Sequence, residues 1–285
     1  MNYGKHSKDK DFRGGGQGNL SSITGIGAGT GPFRAAEQRS IKRGFTLAEV
    51  LITLGIIGVV AAMTLPSLTT KIQDRELVTR AKKTVSNIQN AALLAQKDLG
   101  VIGDNTVLFD TTKSSIEVAQ NFVKYFNGAK LCTSKTQKGC EKYYYQLKYA
   151  MPYTDGNGTN AGVNINAPKI ILSDGAILQI IQKTSCDFYE DSYEKEPNGD
   201  YKLDEDGNKI PVVLHRQYCA VIRLDTNGLK NPNQFGADAY GLYVKPDAIV
   251  PETWNAIGQE SLKSILTGSG KLTYKNYSVG QKYDF

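Results

Sequence analysis

The chain has 285 residues, 40% hydrophobic and 22% charged, a composition that excludes wholesale disorder and supplies enough apolar material for a buried core. Most of its net charge of +6 lies in residues 1–44, which hold eight Lys/Arg and three Asp/Glu, against 26 and 25 in the rest. A nucleic-acid-binding surface needs a basic excess on the folded part, so nucleic acid is not favoured as a partner. With only two histidines, His6 and His215, little is available for histidine-based catalysis or a multi-histidine metal site.

The N-terminal end combines a glycine-rich leader with a long apolar run. Residues 1–44 contain ten of the 29 glycines and no apolar period, which predicts disorder. Residues 45–65 contain one charge, Glu49, and as a helix would span about 31 Å, enough for a bilayer core. A buried core helix is the alternative, although such helices seldom stay apolar on every face over this length. Three cations within residues 39–44 predict a cytoplasmic N terminus, with the remainder outside.

Two positions in this segment indicate processing and assembly. A carboxylate in a membrane helix costs roughly 2.5–3.5 kcal/mol on insertion scales, so Glu49 needs a partner. A cut after Gly44, where the missing Cβ gives a protease close access to the backbone, would leave an amino group on Phe45 about one helical turn away. That amine, on the same chain or a neighbour, would be the counter-charge. A conventional signal peptide is the alternative, with residues 61–63 imitating its cleavage site, but its apolar core would be only about 7–15 residues long.

These residues carry a family resemblance. Residues 42–52, Lys-Arg-Gly-Phe-Thr-Leu-Ala-Glu-Val-Leu-Ile, resemble the processing site of type IV prepilins and of the pseudopilins of type II secretion. The resemblance implies that prepilin peptidase cuts after Gly44 and methylates Phe45, and that Glu49 pairs with a neighbouring subunit's N terminus. It also implies that Pro66 interrupts the series of backbone hydrogen bonds of the helix. The implied partners are other pilin or pseudopilin subunits and an inner-membrane assembly platform. The leader is longer than the family's, which an upstream start-site error or an appended tail would explain.

The helix is expected to continue beyond the membrane. Apolar residues between Val78 and Leu99 recur at alternating spacings of three and four, and Leu99-Gly100 is a typical helix end. We therefore predict one long helix over residues 45–99, transmembrane over residues 45–65. A coiled-coil dimer is the alternative, but the alanines of the stripe and its length of about three heptads favour packing against a sheet.

Residues 100–285 predict an extracytoplasmic globular domain. Ser114 and Glu117 form a capping box that starts a short helix. Residues 169–181 predict a hairpin with Asp174-Gly175 as a type I′ turn. Strands in a row after one long helix predict an α+β, pilin-like fold with an antiparallel sheet. Further strands are predicted at residues 143–149, 218–224 and 240–244.

Four cysteines, Cys132, Cys140, Cys186 and Cys219, all lie on the predicted outer side. Their spacing fits no zinc signature, and two disulfides in an oxidising compartment are the better interpretation. Of three possible connectivities we favour Cys132–Cys140 and Cys186–Cys219, because the first closes a short loop and the second clips the hairpin region to the strand near residue 218.

A loop at residues 225–238 is the candidate metal site. Asp225, Asn227, Asn233 and Asp238 supply oxygens of the kind that calcium binds, although the EF-hand glycine and glutamate are missing. The loop resembles the calcium loop of major pseudopilins. A turn-rich loop whose side chains bond their own backbone is an equally open alternative.

A second acidic segment, residues 187–206, holds nine acidic residues and two lysines. It also looks faintly like a calcium loop around residues 204–208. A hairpin turn at Asp206-Gly207 within a solvated insertion is the favoured interpretation.

No nucleophile–base pair, P-loop, dinucleotide fingerprint or H-E-x-x-H pattern occurs, so an enzyme is not expected, nor a cofactor other than calcium. The leading hypothesis is a pilin or pseudopilin subunit of a type IV pilus or type II secretion fibre, single-pass in the inner membrane before assembly. The alternatives are a membrane-anchored ligand-binding domain that does not polymerise and a DNA-uptake or adhesion pilin.

Overall fold

The computed structural model describes residues 44–154, 159–164, 168–194, 196 and 201–277. The leader, residues 1–43, with the cations that set the predicted orientation, and part of the acidic insertion lie outside the described residues. The residues through Leu54 and those from Gly55 onward form two units, which are described separately.

The longest element is helix α1, Leu47–Leu99. Among the described residues it is the one helix whose length and composition would allow it to cross a membrane; its most apolar window has a mean hydropathy of 2.2 and no buried residue. It does not end at Pro66: the proline removes one backbone donor, and the hydroxyls of Thr69 and Thr70 donate to its carbonyl at 2.9 and 3.0 Å. The helix stops as predicted before Gly100, which has a φ of +73°.

The second half of α1 packs through a stripe of small and branched residues. Ala81, Val85, Ile88, Ala92 and Ala95 are buried and share one hydrophobic cluster with residues of the main sheet. The alanine-rich stripe therefore packs on the sheet. The prediction that the buried stripe extends to Leu99 is wrong, because Leu99 is 45% exposed.

Ten strands lie among the described residues. They are β1 Lys130–Cys132, β2 Gln146–Thr154, β3 Thr159–Asn164, β4 Lys169–Ile171, β5 Ile177–Gln182, β6 Asp187–Tyr193, β7 Pro211–Gln217, β8 Ala220–Asp225, β9 Ala239–Val244 and β10 Ile249–Pro251. Six of them form the antiparallel main sheet in the order β1-β4-β5-β8-β9-β10. Two further pairs, β2–β3 and β6–β7, form separate two-stranded sheets. This combination confirms the predicted α+β, pilin-like layout.

Two shorter helices complete the described fold: α2, Ser115–Phe122, and α3, Gln259–Thr267. The predicted capping box of α2 is confirmed, because the Ser114 hydroxyl accepts from Glu117 N while the Glu117 carboxylate accepts from Ser114 N at 2.8 Å. Three short 3-10 helices also occur among the described residues, at Val123–Tyr125, Glu141–Tyr143 and Asn255–Ile257.

Two local predictions need correction. The predicted strand at residues 143–149 begins only at Gln146, since a 3-10 helix, Glu141–Tyr143, precedes it. The β4–β5 hairpin exists, but its turn is not type I′: Gly175 has a positive φ of +91° and Asp174 does not. Gly175 N donates to Leu172 O and Leu172 N to Ala176 O, so the loop is longer than two residues.

The structure contains two disulfides, Cys132–Cys140 and Cys186–Cys219. These are the two cysteine pairings that the sequence analysis favoured. The first closes an eight-residue separation beside β1, and the second joins the residue before β6 to the residue before β8. The base of the β6–β7 hairpin is therefore tied covalently to the main sheet.

Candidate functional site

The segment around Gly44 and Phe45 is open on all sides. The Phe45 side chain is 87% exposed, and no atom lies within 4 Å of the place where a Cβ on Gly44 would sit. Nothing in the described chain therefore blocks an enzyme from reaching the Gly44–Phe45 peptide bond.

Glu49 is held by a capping box at the start of α1. Thr46 N and Thr46 Oγ1 donate to Glu49 Oε2 at 2.9 and 2.8 Å, while Glu49 N donates to Thr46 Oγ1 at 3.2 Å. In the unprocessed chain, therefore, Thr46 is the partner of the Glu49 carboxylate. Both contacts end on Oε2, and no described residue donates to Oε1, which can therefore accept from another chain.

The loop at residues 225–238 connects β8 to β9 and is closed at its base. Thr226 N and Thr226 Oγ1 donate to Asp238 O at 2.8 and 2.9 Å, and Asp225 pairs with Ala239 in the sheet register. This closure brings the carboxylates of Asp225 and Asp238 into one buried region. Gly228, with a φ of +67°, lets the loop lie against the β4–β5 turn, because a Cβ there would sit 2.3 Å from Gly175 O.

The two buried carboxylates are satisfied by different donors. Asp225 Oδ1 accepts from Gly228 N at 2.7 Å, and its Oδ2 accepts from the Tyr145 hydroxyl at 2.6 Å. Asp238 Oδ1 and Oδ2 accept from Gln234 N and Asn233 N at 2.7 and 2.8 Å. Burial and the neighbouring Asp238 charge raise the pKa of Asp225 well above its usual value, and burial raises the pKa of Asp238 to about 6.

The Asn233 side-chain amide is surrounded by three oxygens. It lies 2.8 Å from Gly228 O and 3.2 Å from both Lys230 O and Asp225 Oδ2. The amide nitrogen must face these oxygens and donate to them, because an amide oxygen in its place would meet only acceptors. A cation could occupy this place only if the amide turned its oxygen toward the same group, which would give the carboxylate, amide and carbonyl oxygens that calcium prefers.

The four predicted ligands therefore divide into two groups. Asp225 Oδ2 and two backbone carbonyls contact the Asn233 amide. Asp238 instead fixes the backbone around Asn233, and Asn227 donates to Asn231 O at 3.2 Å. The described residues contain no group of three or more His, Cys, Asp or Glu side chains that could hold a metal ion, so any ion here would depend on carbonyl and amide oxygens.

The family comparison concerns the N-terminal segment. Residues 39–65 match the model of the prokaryotic N-terminal methylation motif, over about a tenth of the chain. The chain carries a type IV prepilin-type signature. No curated protein and no solved structure matches the chain significantly.

The prepilin-type signature contains the open Gly44–Phe45 bond, the capped Glu49 and most of the exposed apolar run. It is the signature of a pilin-like protein that is processed at its N terminus, anchored in a membrane and assembled with other pilin subunits. It is typical of structural proteins rather than of enzymes.

Sequence reasoning missed three residues at these sites. The Thr46–Glu49 capping box was visible as a T-x-x-E pattern at the start of an apolar run. Tyr145 and Lys169 left no signal, because tertiary packing brings them to the loop. The buried Lys169 ammonium donates to Tyr143 O and lies 4.3 Å from the Tyr144 ring centroid; burial lowers its pKa to about 8, partly offset by the Asp225 charge.

The buried pair predicts a specific pH dependence in the presence of a chelator. The pKa of Asp238 rises from 3.8 to about 6, so between about pH 4 and 6 the folded chain holds protons that the unfolded chain has released. The contribution of Asp238 to the free energy of unfolding should therefore fall as the pH rises through this window, by roughly 3 kcal/mol for a shift of about two units. The raised pKa of Asp225 acts in the same direction.

Urea unfolding of the detergent-solubilised protein from pH 4 to 7.5 measures this contribution as the difference between wild type and Asp238→Asn. Carboxylates outside the pair, such as Asp174, whose pKa is lowered, titrate in both proteins and cancel. An identical pH slope in the two proteins would contradict the assignment.

Proposed function

We propose that this protein is a fibre subunit of a type II secretion or type IV pilus machine, cut after Gly44 and polymerised through α1. The observation that carries the proposal is the prepilin-type signature at residues 39–65, which coincides with an exposed apolar helix. Such a surface must be covered, by lipid before assembly and by the helices of neighbouring subunits in the fibre. Residues 45–99 would be the assembly helix and residues 100–285 the extracytoplasmic domain.

Glu49 would guide the addition of each subunit. Processing would create a cationic amine on Phe45, and the cap holds Glu49 with its Oε1 free for the amine of a neighbour. An ion pair in a low-dielectric surrounding is far stronger than in water, and an unpaired Glu49 is costly there, so only a correctly staggered neighbour would be accepted.

The first prediction of the proposed function is processing at Gly44. Intact-mass measurement of the membrane-purified protein should show residues 45–285, a chain of 241 residues, with a methylated N terminus. Gly44→Leu should block the cut without disturbing the fold, because no atom lies within 4 Å of a Cβ at this position. Assembled material that retains Met1, or a cut near Ala62, would contradict the proposal.

The second prediction separates the charge of Glu49 from its capping role. Glu49→Gln keeps a capping side chain but removes the charge, so the protein should be inserted and processed yet fail to enter fibres. Thr46→Ala is the matched control: it loses the cap, at a cost of about 0.5–2 kcal/mol in helix stability, but keeps the carboxylate and should still assemble. The readout is the fraction of processed protein in fibres sheared from cells. Normal incorporation of Glu49→Gln would rule out the proposed role.

We further propose that the loop at residues 225–238 binds calcium. The supporting observation is that Asp225 Oδ2 and the carbonyls of Gly228 and Lys230 converge on the Asn233 amide, whose own oxygen would add a fourth ligand once turned toward an ion. Only one of these four oxygens belongs to a carboxylate, so the site would be weak and suited to extracellular calcium. The ion would neutralise a buried charge and tie together the two halves of the loop.

The third prediction tests this site by thermal unfolding. Millimolar calcium should raise the thermal midpoint of the detergent-solubilised protein, because a ligand that binds only the folded state stabilises it. Asp225→Ala should abolish the shift and Asn233→Ala should reduce it, whereas Asp247→Ala, at an exposed position outside the loop, should leave it intact. If calcium does not move the wild-type midpoint, the loop is a turn held by a rotated Asn233 amide.

A further inference from the structure

A cleft of about 530 Å³ lies along α1 in the body of the chain. One face of α1 forms its first wall, with side chains at helical spacing. The β4–β5 turn and the residue after β8 form the second wall. The lining residues are Arg75, Glu76, Thr79, Arg80, Lys83, Thr84, Asp174 and Thr226.

Three cations and two carboxylates face this cleft, so its lining is basic. Arg80 pairs with Glu76 at 2.9 Å and Lys83 with Asp174 at 2.8 Å. Arg75 is exposed and makes no ion pair within the described part of the chain. The side chains of Arg80 and Lys83 remain 31% and 58% exposed, so an incoming carboxylate could share them as well. The cleft therefore fits an acidic group that reaches Arg75.

The same chain presents such a group elsewhere, on the turn at residues 204–208. Glu205 and Asp206 are exposed at its tip, and their carboxylates make no ion pair with any described residue. The backbone beneath them is fixed, because Asp204 Oδ1 accepts from Asp206 N and Asn208 N at 3.0 and 2.7 Å. A rigid, projecting acidic turn loses little entropy when it enters a cleft.

We propose that the acidic turn of one subunit, Glu205 and Asp206, inserts into the basic cleft around Arg75 of a neighbouring copy. The inference rests on the proposed function, since it requires copies side by side in a fibre. Opposite charges on two different surfaces of one molecule make a heterologous contact, the kind that propagates along a filament rather than closing a dimer. Complementary charge also fixes register and disfavours wrong arrangements, which hydrophobic helix packing alone does poorly.

A charge swap in the full chain tests the contact. Glu205→Lys combined with Asp206→Lys, and separately Arg75→Glu, should each lower the fraction of processed protein in fibres about tenfold, since each places like charges together. The three substitutions together should restore assembly to near the wild-type fraction. Matched reversals at exposed positions outside the acidic turn and the cleft lining, Asp247→Lys and Lys97→Glu, should leave it unchanged; Lys97 lies 22 residues beyond Arg75 on α1, about 33 Å along the helix. Intact mass should show normal processing in every variant.

Each other result has a defined meaning. Fibres in which the single-surface reversals assemble normally would overturn the contact while leaving the proposed function standing. A loss of assembly that the combined variant does not restore would also overturn the contact. So would a loss of assembly in the Arg75→Glu variant but not in the Glu205→Lys, Asp206→Lys variant, because it would show that the cleft binds a different acidic group, such as an anionic lipid. Wild-type protein that forms no fibres would overturn the proposed function and, with it, this contact.

Discussion

The contact of α1 with the main sheet is the interaction on which the rest of the described body depends. Four alanines, Ala81, Ala91, Ala92 and Ala95, put little more than a methyl group between the helix backbone and the sheet. The central strands of the sheet carry larger side chains at alternate positions in the same hydrophobic cluster, such as Leu178 on β5 and Ile222 on β8. Small residues on one surface and large ones on the other let the two layers interdigitate at the density of a protein interior.

The same helix serves a different purpose in its first half, and composition alone marks the change. Up to residue 65 the helix is apolar on all faces and exposed, so no stripe selects a packing partner within the chain. From Ala81 onward, polar residues alternate with a buried stripe. A helix of the first kind is stable in lipid or among other apolar helices, and one of the second kind is stable on its own sheet. The chain therefore combines a segment that suits a membrane with a segment that packs on its own sheet.

The loop after β8 shows how tertiary contacts maintain an unfavourable charge arrangement. Two carboxylates, Asp225 and Asp238, are buried close enough for each to affect the other's pKa. Backbone N–H groups of the loop and the Tyr145 hydroxyl offset part of the cost. Lys169, buried beneath Tyr144 and Tyr145, adds a positive charge from the other side. A bound cation would compensate the negative charge of the two carboxylates that these groups leave uncompensated.

Much of this protein was determined by local sequence. Several features depend only on residues within a few positions of each other: the apolar run with Gly44 before it and Glu49 near its start, the capping box of α2, and the helix end at Gly100. The structure contains these elements as expected, while the functions of Gly44 and Glu49 are proposals. The β4–β5 hairpin and the strands β8 and β9 could also be predicted, because short apolar runs and Asp-Gly turns are local signals, although the type of the turn was not the one expected.

Tertiary structure alone decided the rest, because it depends on residues far apart in the chain. Gly175 and Gly228 lie more than 50 positions apart, yet their close approach sets the shape of the loop, and no local pattern reports it. The Tyr145 hydroxyl donates a hydrogen bond to Asp225, which is 80 positions away in the chain. The Lys169 side chain is buried against the Tyr144 and Tyr145 rings. Leu99 satisfied the helical period but is 45% exposed at the last residue of α1. Periodicity fixes which face of an element is apolar, whereas the extent of the opposing layer decides which of those residues become buried.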